Sequence, residues 1–304
     1  MKICISTTSF AEFDRTPLEL CLQRGYEVRL NPHGRKVTPD ELVEIAHDAA
    51  GLVAGTESLK EEVLLRLPAL KVISRCGTGL DNVDLAAARR LGIRVFNTPD
   101  APTLAVAELT VGLMLNLLRN ITIMDAATKG GAWDKLMGNL LRGKIVGILG
   151  LGRIGRKVAD LLSVFQCSII YSDPFVEECL SGPKRLPLSD LLSQADLLSI
   201  HASAKERLLG LTELRSMKRG SWLVNVSRGD VIDEAALYEC LRNGHLSGAA
   251  LDVFQQEPYT GPLRGLPNVI VTPHIGSYAM EARTAMEREA VEHLLAGLES
   301  RGGS

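Results

Sequence analysis

Residues 144–173 read KIVGILGLGRIGRKVADLLSVFQCSIIYSD. The apolar run over 144–149 is typical of a buried parallel strand, and glycines follow it at once in the pattern G-x-G-x-x-G. Apolar residues at helical spacing come next, and a second buried strand over 168–172 ends at an acidic residue, Asp173. Strand, glycines, helix, strand and acid in this order predict a dinucleotide-binding βαβ unit.

Each glycine of this motif has a separate physical role. Gly150 permits the tight turn out of the strand, Gly152 lets the backbone approach a pyrophosphate, and Gly155 lets the helix pack closely on the strand. The helix that follows directs its free N–H groups and the positive end of its dipole at the phosphates. The alternative is a chance cluster of glycines in a loop, and the ordered context weighs against it.

Asp173 predicts which dinucleotide binds. It follows Gly155 by 18 residues, close to the spacing of about 20 expected for the acid that binds a ribose 2′-hydroxyl. Its charge would repel a 2′-phosphate, and no lysine or arginine follows it directly. The sequence therefore favours NAD over NADP.

Composition excludes several classes of partner. The chain has 304 residues, 46% of them hydrophobic and 23% charged, which is typical of a globular protein with room for two domains. A net charge of −2 gives no excess of positive charge for binding nucleic acid or an anionic membrane. The six cysteines lack metal-ligand spacing, so no metal is predicted. Reduced thiols and an N-terminus without a signal-peptide pattern predict a cytoplasmic protein.

Strand and helix signals alternate over the first hundred residues and again after residue 144, which predicts two parallel-sheet α/β domains. A proline-containing connection over 97–102 is a candidate hinge between them. A long apolar helix is predicted over 104–118 and an amphipathic terminal helix over 278–298. Between these, Trp133 and its apolar neighbours need burial, either in a subunit interface or by packing on the same chain.

Polar side chains follow three later strands. Arg228, Asp252 with Glu257, and His274 come at or just past predicted strand ends, where ligands bind in open α/β sheets. A guanidinium can bind a carboxylate and polarise a ketone, and a histidine can donate a proton near neutral pH. A nearby glutamate would favour the protonated imidazolium and hold its ring. Each residue alone could be a surface or packing residue, but together they indicate carbonyl reduction.

The chain resembles the D-isomer-specific 2-hydroxyacid dehydrogenases, and within them the phosphoglycerate dehydrogenase branch. The matching stretches are SRCGTGLDNVD (74–84), NTP (97–99), AVAELT (105–110), GILGLGRIGR (147–156), NVSRGDVIDEAAL (225–237), GAALDVFQQEP (248–258) and TPHIGS (272–277). The resemblance implies two doubly wound parallel-sheet domains. A Rossmann NAD-binding domain over 99–276 would be inserted into a flavodoxin-like substrate domain formed by 1–98 and 277–304.

The resemblance also implies a role for individual residues. Arg228 would bind the substrate carboxylate and carbonyl, and His274 would donate or accept the proton with Glu257 tuning it. Backbone N–H groups of the loop containing Cys76, Gly77 and Gly79 would hold the substrate carboxylate. The implied NAD contacts are Gly150, Gly152, Arg153, Ile154, Gly155, Asp173, Val226, Asp252, Gly276 and Thr78. Family members are usually dimers through the region matching 104–139, which implies a homodimer here.

Two departures bear on the substrate, a small 2-hydroxy or 2-keto acid. The phosphoglycerate enzymes carry an arginine-serine pair after the third strand, where this chain has Gly55 and Thr56, and an asparagine in the segment that here contains Pro102. Both weigh against 3-phosphoglycerate and leave the side chain of the acid open. Two other functions remain on the same fold: a phosphite-type dehydrogenase, and an NAD-sensing, corepressor-like interaction module without turnover.

Overall fold

The computed structural model of the chain describes residues 1–177, 182–204 and 206–300, so Cys179 lies outside the described residues. The chain divides into two compact units: unit 1 comprises Met1–Pro102 and the chain from Ser277 onward, and unit 2 comprises Thr103–Gly276. The boundary between the two compact units therefore lies after Pro102, four residues beyond the boundary predicted after residue 98.

The strands in chain order are β1 (Lys2–Ile5), β2 (Glu27–Leu30), β3 (Gly51–Ala54), β4 (Val72–Arg75), β5 (Arg94–Asn97), β6 (Ile145–Leu149), β7 (Ser168–Ser172), β8 (Lys184–Arg185), β9 (Leu197–Ile200), β10 (Trp222–Asn225), β11 (Gly248–Leu251) and β12 (Val269–Val271). The helices are α1 (Thr16–Gln23), α2 (Pro39–Ala46), α3 (Glu61–Leu64), α4 (Leu85–Arg90), α5 (Thr103–Arg119), α6 (Ile121–Lys129), α7 (Arg153–Ser163), α8 (Leu188–Gln194), α9 (Leu211–Ser216), α10 (Glu234–Arg242) and α11 (Met280–Glu299).

Unit 1 is built on a parallel sheet. Over residues 1–102 and 277–300, five strands pair in the order β2-β1-β3-β4-β5. Its central strand β3 is buried along its whole length, as expected when helices cover both faces. Helix α11 covers one face, where a Cβ at Gly51 would lie 3.1 Å from Cδ1 of Leu294. A glycine at this position therefore lets the terminal helix approach the sheet closely.

Unit 2 is a second doubly wound domain. Over its described residues, seven parallel strands pair in the order β12-β11-β10-β9-β6-β7-β8. The chain runs outward from β6 to β8 and then returns to β9 on the other side of β6, so the strand order reverses between β6 and β9. Ligands bind at such a reversal. The predicted fold class, a Rossmann domain and a flavodoxin-like domain in one chain, is confirmed.

Helix α5 forms much of one face of unit 2. Its buried side chains, Met114 and Leu118 among them, pack with those of α7 and the central strands. Helix α6, which the sequence pattern does not predict, follows after Asn120, whose φ is +53°. No single described helix is long and apolar enough to cross a membrane, and α5 and α6 pass that test only jointly, across a bend of 64°.

Candidate active site

The glycine loop at the end of β6 has the conformation its spacing predicts. Gly150 has φ +92°, a value that residues other than glycine rarely adopt. A Cβ at Gly155 would lie 2.2 Å from the carbonyl oxygen of Gly150, so only glycine permits this approach of helix to strand. At Gly152, no heavy atom of the described residues lies within 4 Å of the Cβ position. This open space is where a pyrophosphate fits, since α7 begins at Arg153 and Ile154 beside it.

Asp173 at the end of β7 is bound to the glycine loop. Its Oδ2 accepts a hydrogen bond of 2.8 Å from Leu151 N, and its Oδ1 accepts one of 2.8 Å from Phe175 N. The carboxylate is therefore held beside the loop, at the side where a ribose would follow the phosphates. Residues 150–155 and Asp173 thus fit an NAD-type dinucleotide, whose nicotinamide ring, when bound, carries the hydride.

Two basic residues near Asp173 do not follow it directly in the chain, so the spacing after the acid does not predict them. Lys184 and Arg185 form the short strand β8, paired with Ile170 and Tyr171 of β7. Arg185 Nη2 lies 3.5 Å from the carbonyl oxygen of Pro174. A two-residue exposed strand carries no periodicity, so only a search for cations up to a dozen residues past the acid could have found this pair.

Arg228 lies in a loop organised by Asn225, the last residue of β10. The buried Asn225 side chain donates from Nδ2 to Arg228 O at 2.9 Å, and its Oδ1 accepts from Ser227 N at 3.0 Å. At Gly229 a Cβ would lie 1.9 Å from the backbone carbon of Phe254. The Arg228 loop is therefore packed directly against the segment that follows β11. Val226, two residues before Arg228, is buried.

Asp252 follows β11 and holds the segment that follows β12. Its Oδ1 accepts from Thr272 Oγ1 at 2.6 Å and from Ile275 N at 2.8 Å, and its Oδ2 accepts from Gly276 N at 2.8 Å. Burial raises the pKa of the Asp252 carboxyl, although these hydrogen bonds act in the opposite direction. Asp252 and Gly276 thus hold His274 in place, and their predicted contact with NAD stays a prediction.

His274 and Glu257 form a hydrogen-bonded pair. Nδ1 of His274 lies 2.9 Å from Oε2 of Glu257, while Oε1 of Glu257 accepts from Phe254 N at 3.1 Å. The carboxylate is therefore anchored to backbone and aligns the ring, so that Nε2 is the nitrogen able to exchange a proton with a ligand. Because Gly229 also packs against Phe254, the structure brings Arg228, Glu257 and His274 onto adjacent loops.

A second histidine at this edge, His201 at the end of β9, is not suited to proton donation. Its Nε2 lies 2.8 Å from Ser199 Oγ, and burial lowers the pKa of the ring to about 3. The imidazole is therefore neutral at physiological pH. Its backbone lies against the glycine loop, where a Cβ at Gly150 would be 2.9 Å from the carbonyl carbon of His201. This leaves His274 as the candidate acid–base histidine of the site.

The predicted substrate loop of unit 1 follows β4. Cys76 N donates to Ala54 O at 2.8 Å, and Gly77 N donates to Thr98 Oγ1 at 2.7 Å, so these two amides are already engaged. Among the described residues, the amides of Thr78 and Gly79 have no protein acceptor. They are the N–H groups that could bind a carboxylate, and substrate binding by this loop stays a prediction.

A doubly wound sheet with a glycine loop at its reversal point is the architecture of a dinucleotide-binding domain. The family described as D-isomer specific 2-hydroxyacid dehydrogenase, NAD binding domain, matches residues 111–276. This match covers more than half of the chain and lies within unit 2. The chain therefore belongs to the D-isomer specific 2-hydroxyacid dehydrogenase family, as its motifs predict, and residues 111–276 are its NAD-binding domain.

Individual relatives agree with this assignment. A D-3-phosphoglycerate dehydrogenase of Methanocaldococcus jannaschii is 42% identical over 261 residues, which cover 82% of this chain and 50% of that protein. A glyoxylate reductase of Thermofilum pendens is 40% identical over 258 residues, 80% of this chain and 76% of that protein. The crystal structure of the TT0316 protein from Thermus thermophilus superposes with a TM-score of 0.92 at 38% identity, covering 99% of this chain and 97% of that one. This chain spans about half the length of the phosphoglycerate dehydrogenase it matches.

The geometry of Asp173 leads to a test of cofactor choice. Asp173→Asn removes the charge that repels a 2′-phosphate but keeps one oxygen for the loop amides. We expect the ratio of the NADPH to the NADH dissociation constant to fall by about tenfold, a change of about 1.4 kcal/mol, because the repulsion between two negative charges is removed. Fluorescence titration with both cofactors measures the ratio. Asp160→Asn, an equal charge change at an exposed site of α7, should leave it unchanged. An unaltered ratio in Asp173→Asn would contradict the role of Asp173.

Proposed function

We propose that the protein is an NAD-dependent oxidoreductase that transfers a hydride between NAD(H) and a small 2-hydroxy or 2-keto acid. The observation that carries the proposal is the 2.9 Å contact between His274 Nδ1 and Glu257 Oε2. It occurs at the edge of the unit 2 sheet where the glycine loop also lies. An acid–base pair at the dinucleotide edge of the sheet is what carbonyl reduction requires, whereas a protein that only senses NAD has no use for it.

In the reducing direction, His274 acts as the general acid. The anchored Glu257 carboxylate orients the ring through Nδ1, and Nε2 delivers its proton to the carbonyl oxygen as the hydride reaches the carbon. In the oxidising direction the same nitrogen removes the hydroxyl proton. Arg228 binds the substrate carboxylate and polarises the neighbouring carbonyl, which orients the reacting carbon for hydride transfer.

A screen of NADH oxidation against a panel of 2-keto acids tests the proposed function. We expect turnover with at least one short acid such as glyoxylate or hydroxypyruvate, because the residues assigned to the chemistry recognise only the carboxylate and carbonyl. Phosphite with NAD is the control for a phosphite-type dehydrogenase. Binding of NADH without turnover on any acid would instead favour a sensing module and would contradict the proposal.

His274→Ala tests the assignment of the proton donor. We expect kcat for keto-acid reduction to fall by about 10²- to 10⁴-fold, the usual value of general acid catalysis. NADH affinity should be retained, since the ring belongs to the acid–base pair. Steady-state kinetics and a fluorescence titration measure the two quantities, and His245→Ala serves as the matched histidine control. Reduction by His274→Ala at the unmutated rate would mean that another group donates the proton.

A homodimer and a cytoplasmic location are further parts of the proposal, and the first has a structural argument. Helix α6 buries no residue, and Trp133 and Met137 after it are 83% and 94% exposed. Nearby in unit 2, a cavity of about 310 Å³ is lined by apolar and polar side chains of α5, α6 and the segment before β12. Exposed apolar surface of this kind marks an interaction site, and a second copy of this chain is the partner we propose.

Trp133→Lys tests the dimer. We expect it to convert a dimer into a monomer at micromolar concentration, because a charge would be buried in the interface without a partner. Size-exclusion chromatography with light scattering measures the mass. Phe175→Lys is the matched control, since Phe175 is 94% exposed in the same unit but outside this patch. A monomeric unmutated protein would show the dimer proposal to be wrong.

A further inference from the structure

The reversal point of the unit 1 sheet lies between β1 and β3, where the strand order β2-β1-β3-β4-β5 changes direction. In open α/β sheets, ligands bind in the crevice outside the carboxyl ends of the strands at such a point. Ser6 and Thr7 follow β1, and Gly55 follows β3. Ser6 N donates to Val53 O at 3.0 Å, so the chain segments of β1 and β3 stay paired up to this crevice.

A buried carboxylate, that of Glu57, occupies this point. Its Oε1 accepts from Ser6 Oγ and, at 3.1 Å, from Gly55 N, and its Oε2 lies 3.0 Å from the same amide. The residue is only 2% exposed. Glu57 forms no ion pair with a lysine, arginine or histidine in the part of the chain that the structure describes. Buried charges are usually paired, and Glu57 has no counter-charge within ion-pair distance among the described residues.

The space around Glu57 contains a second unsatisfied polar group. A Cβ at Gly55 would lie 3.0 Å from Oε2 of Glu57 and 3.6 Å from both Cα and Cγ2 of Thr7. Thr7 is 7% exposed, and its Oγ1 is buried without a hydrogen-bond partner among the described residues. Because buried hydroxyls are normally paired, this one is available to a ligand that enters the crevice.

The crevice is continuous with the predicted substrate loop of the same unit. Asn82 Nδ2 donates to Gly55 O at 3.2 Å and to Glu57 O at 2.7 Å, which ties the segment after β3 to the segment after β4. Cys76 N also donates to Ala54 O at 2.8 Å. A ligand whose carboxylate binds the amides of Thr78 and Gly79 therefore has Glu57 on the neighbouring strand end.

We propose that Glu57 determines which substrates the protein accepts: 2-keto acids whose distal substituent is neutral or hydroxyl-bearing are accepted, and those with a distal phosphate or carboxylate are rejected. The inference rests on the proposed function, because it takes the ligand of the crevice to be the keto acid. An unpaired charge that repels a competing ligand is a common source of specificity. At an effective dielectric constant of about 20, like charges within about 8 Å disfavour binding by roughly tenfold or more.

The test compares hydroxypyruvate with 3-phosphohydroxypyruvate, which differ only by the distal phosphate. We expect the unmutated protein with NADH to have a kcat/KM at least about tenfold higher for hydroxypyruvate. Glu57→Gln keeps the shape and removes the charge, so this preference should shrink by about tenfold while kcat/KM for hydroxypyruvate changes far less. Glu62→Gln, the same change at an exposed position of α3 in the same unit, should leave the preference intact.

A Ser6→Ala variant separates charge from local structure, since it removes one hydrogen bond to Glu57 and keeps the carboxylate. We expect its preference to match that of the unmutated protein. The inference is overturned if Glu57→Gln leaves the preference for hydroxypyruvate unchanged. It is also overturned if Ser6→Ala lowers this preference as much as Glu57→Gln does. In both cases the proposed function stands. If Glu57→Gln fails to fold by circular dichroism, a preference of the unmutated protein for the phosphorylated acid overturns the inference without any variant. Absence of NADH oxidation with every keto acid overturns the proposed function and this inference with it.

Discussion

The buried carboxylate of Asp252 fixes the segment that carries His274, the acid–base residue of the proposed reaction. Thr272 and Ile275, the two donors to its Oδ1, lie on either side of His274 in the chain, and Gly276 donates to its Oδ2. His274 itself has φ +56°, a conformation that costs a residue other than glycine about 1–3 kcal/mol. Hydrogen bonds to a buried carboxylate are strong enough to offset that cost. Asp252 therefore determines where the histidine ring is placed.

The pairing of Glu257 with His274 then determines which nitrogen does the chemistry. One carboxylate oxygen is held by Phe254 N and the other contacts Nδ1, so a neutral ring carries its proton on Nδ1 and leaves Nε2 as an acceptor. A protonated ring donates from the same Nε2. One fixed geometry is thus suited to both donating and accepting a proton, as the two directions of the proposed reaction require.

The parts of the site that depend on neighbouring residues were predictable from the sequence. Positive φ at Gly150, close packing at Gly155 and open space at Gly152 all follow from a motif of six residues between a strand and a helix. The contacts that hold His274 were not predictable, because Asp252 and its donors are joined only when β11 and β12 pair. Strand β8 and helix α6 were missed, and neither is a buried element: both residues of β8 are exposed and α6 buries no residue. The engaged amides of Cys76 and Gly77 also depend on pairing partners distant in sequence.

The two units place different chemical groups at the same point of one architecture. Both are parallel sheets whose strand order reverses once, and in both the chain segments that follow the strands meet at that reversal. In unit 2 the reversal presents an open glycine and the amino end of α7, which attract the negative phosphates of a dinucleotide. In unit 1 the reversal presents the carboxylate of Glu57, bound by its own loop amide. Because the backbone geometry is alike, the residues placed at the reversal, rather than the fold, set the chemical character of that point in each unit.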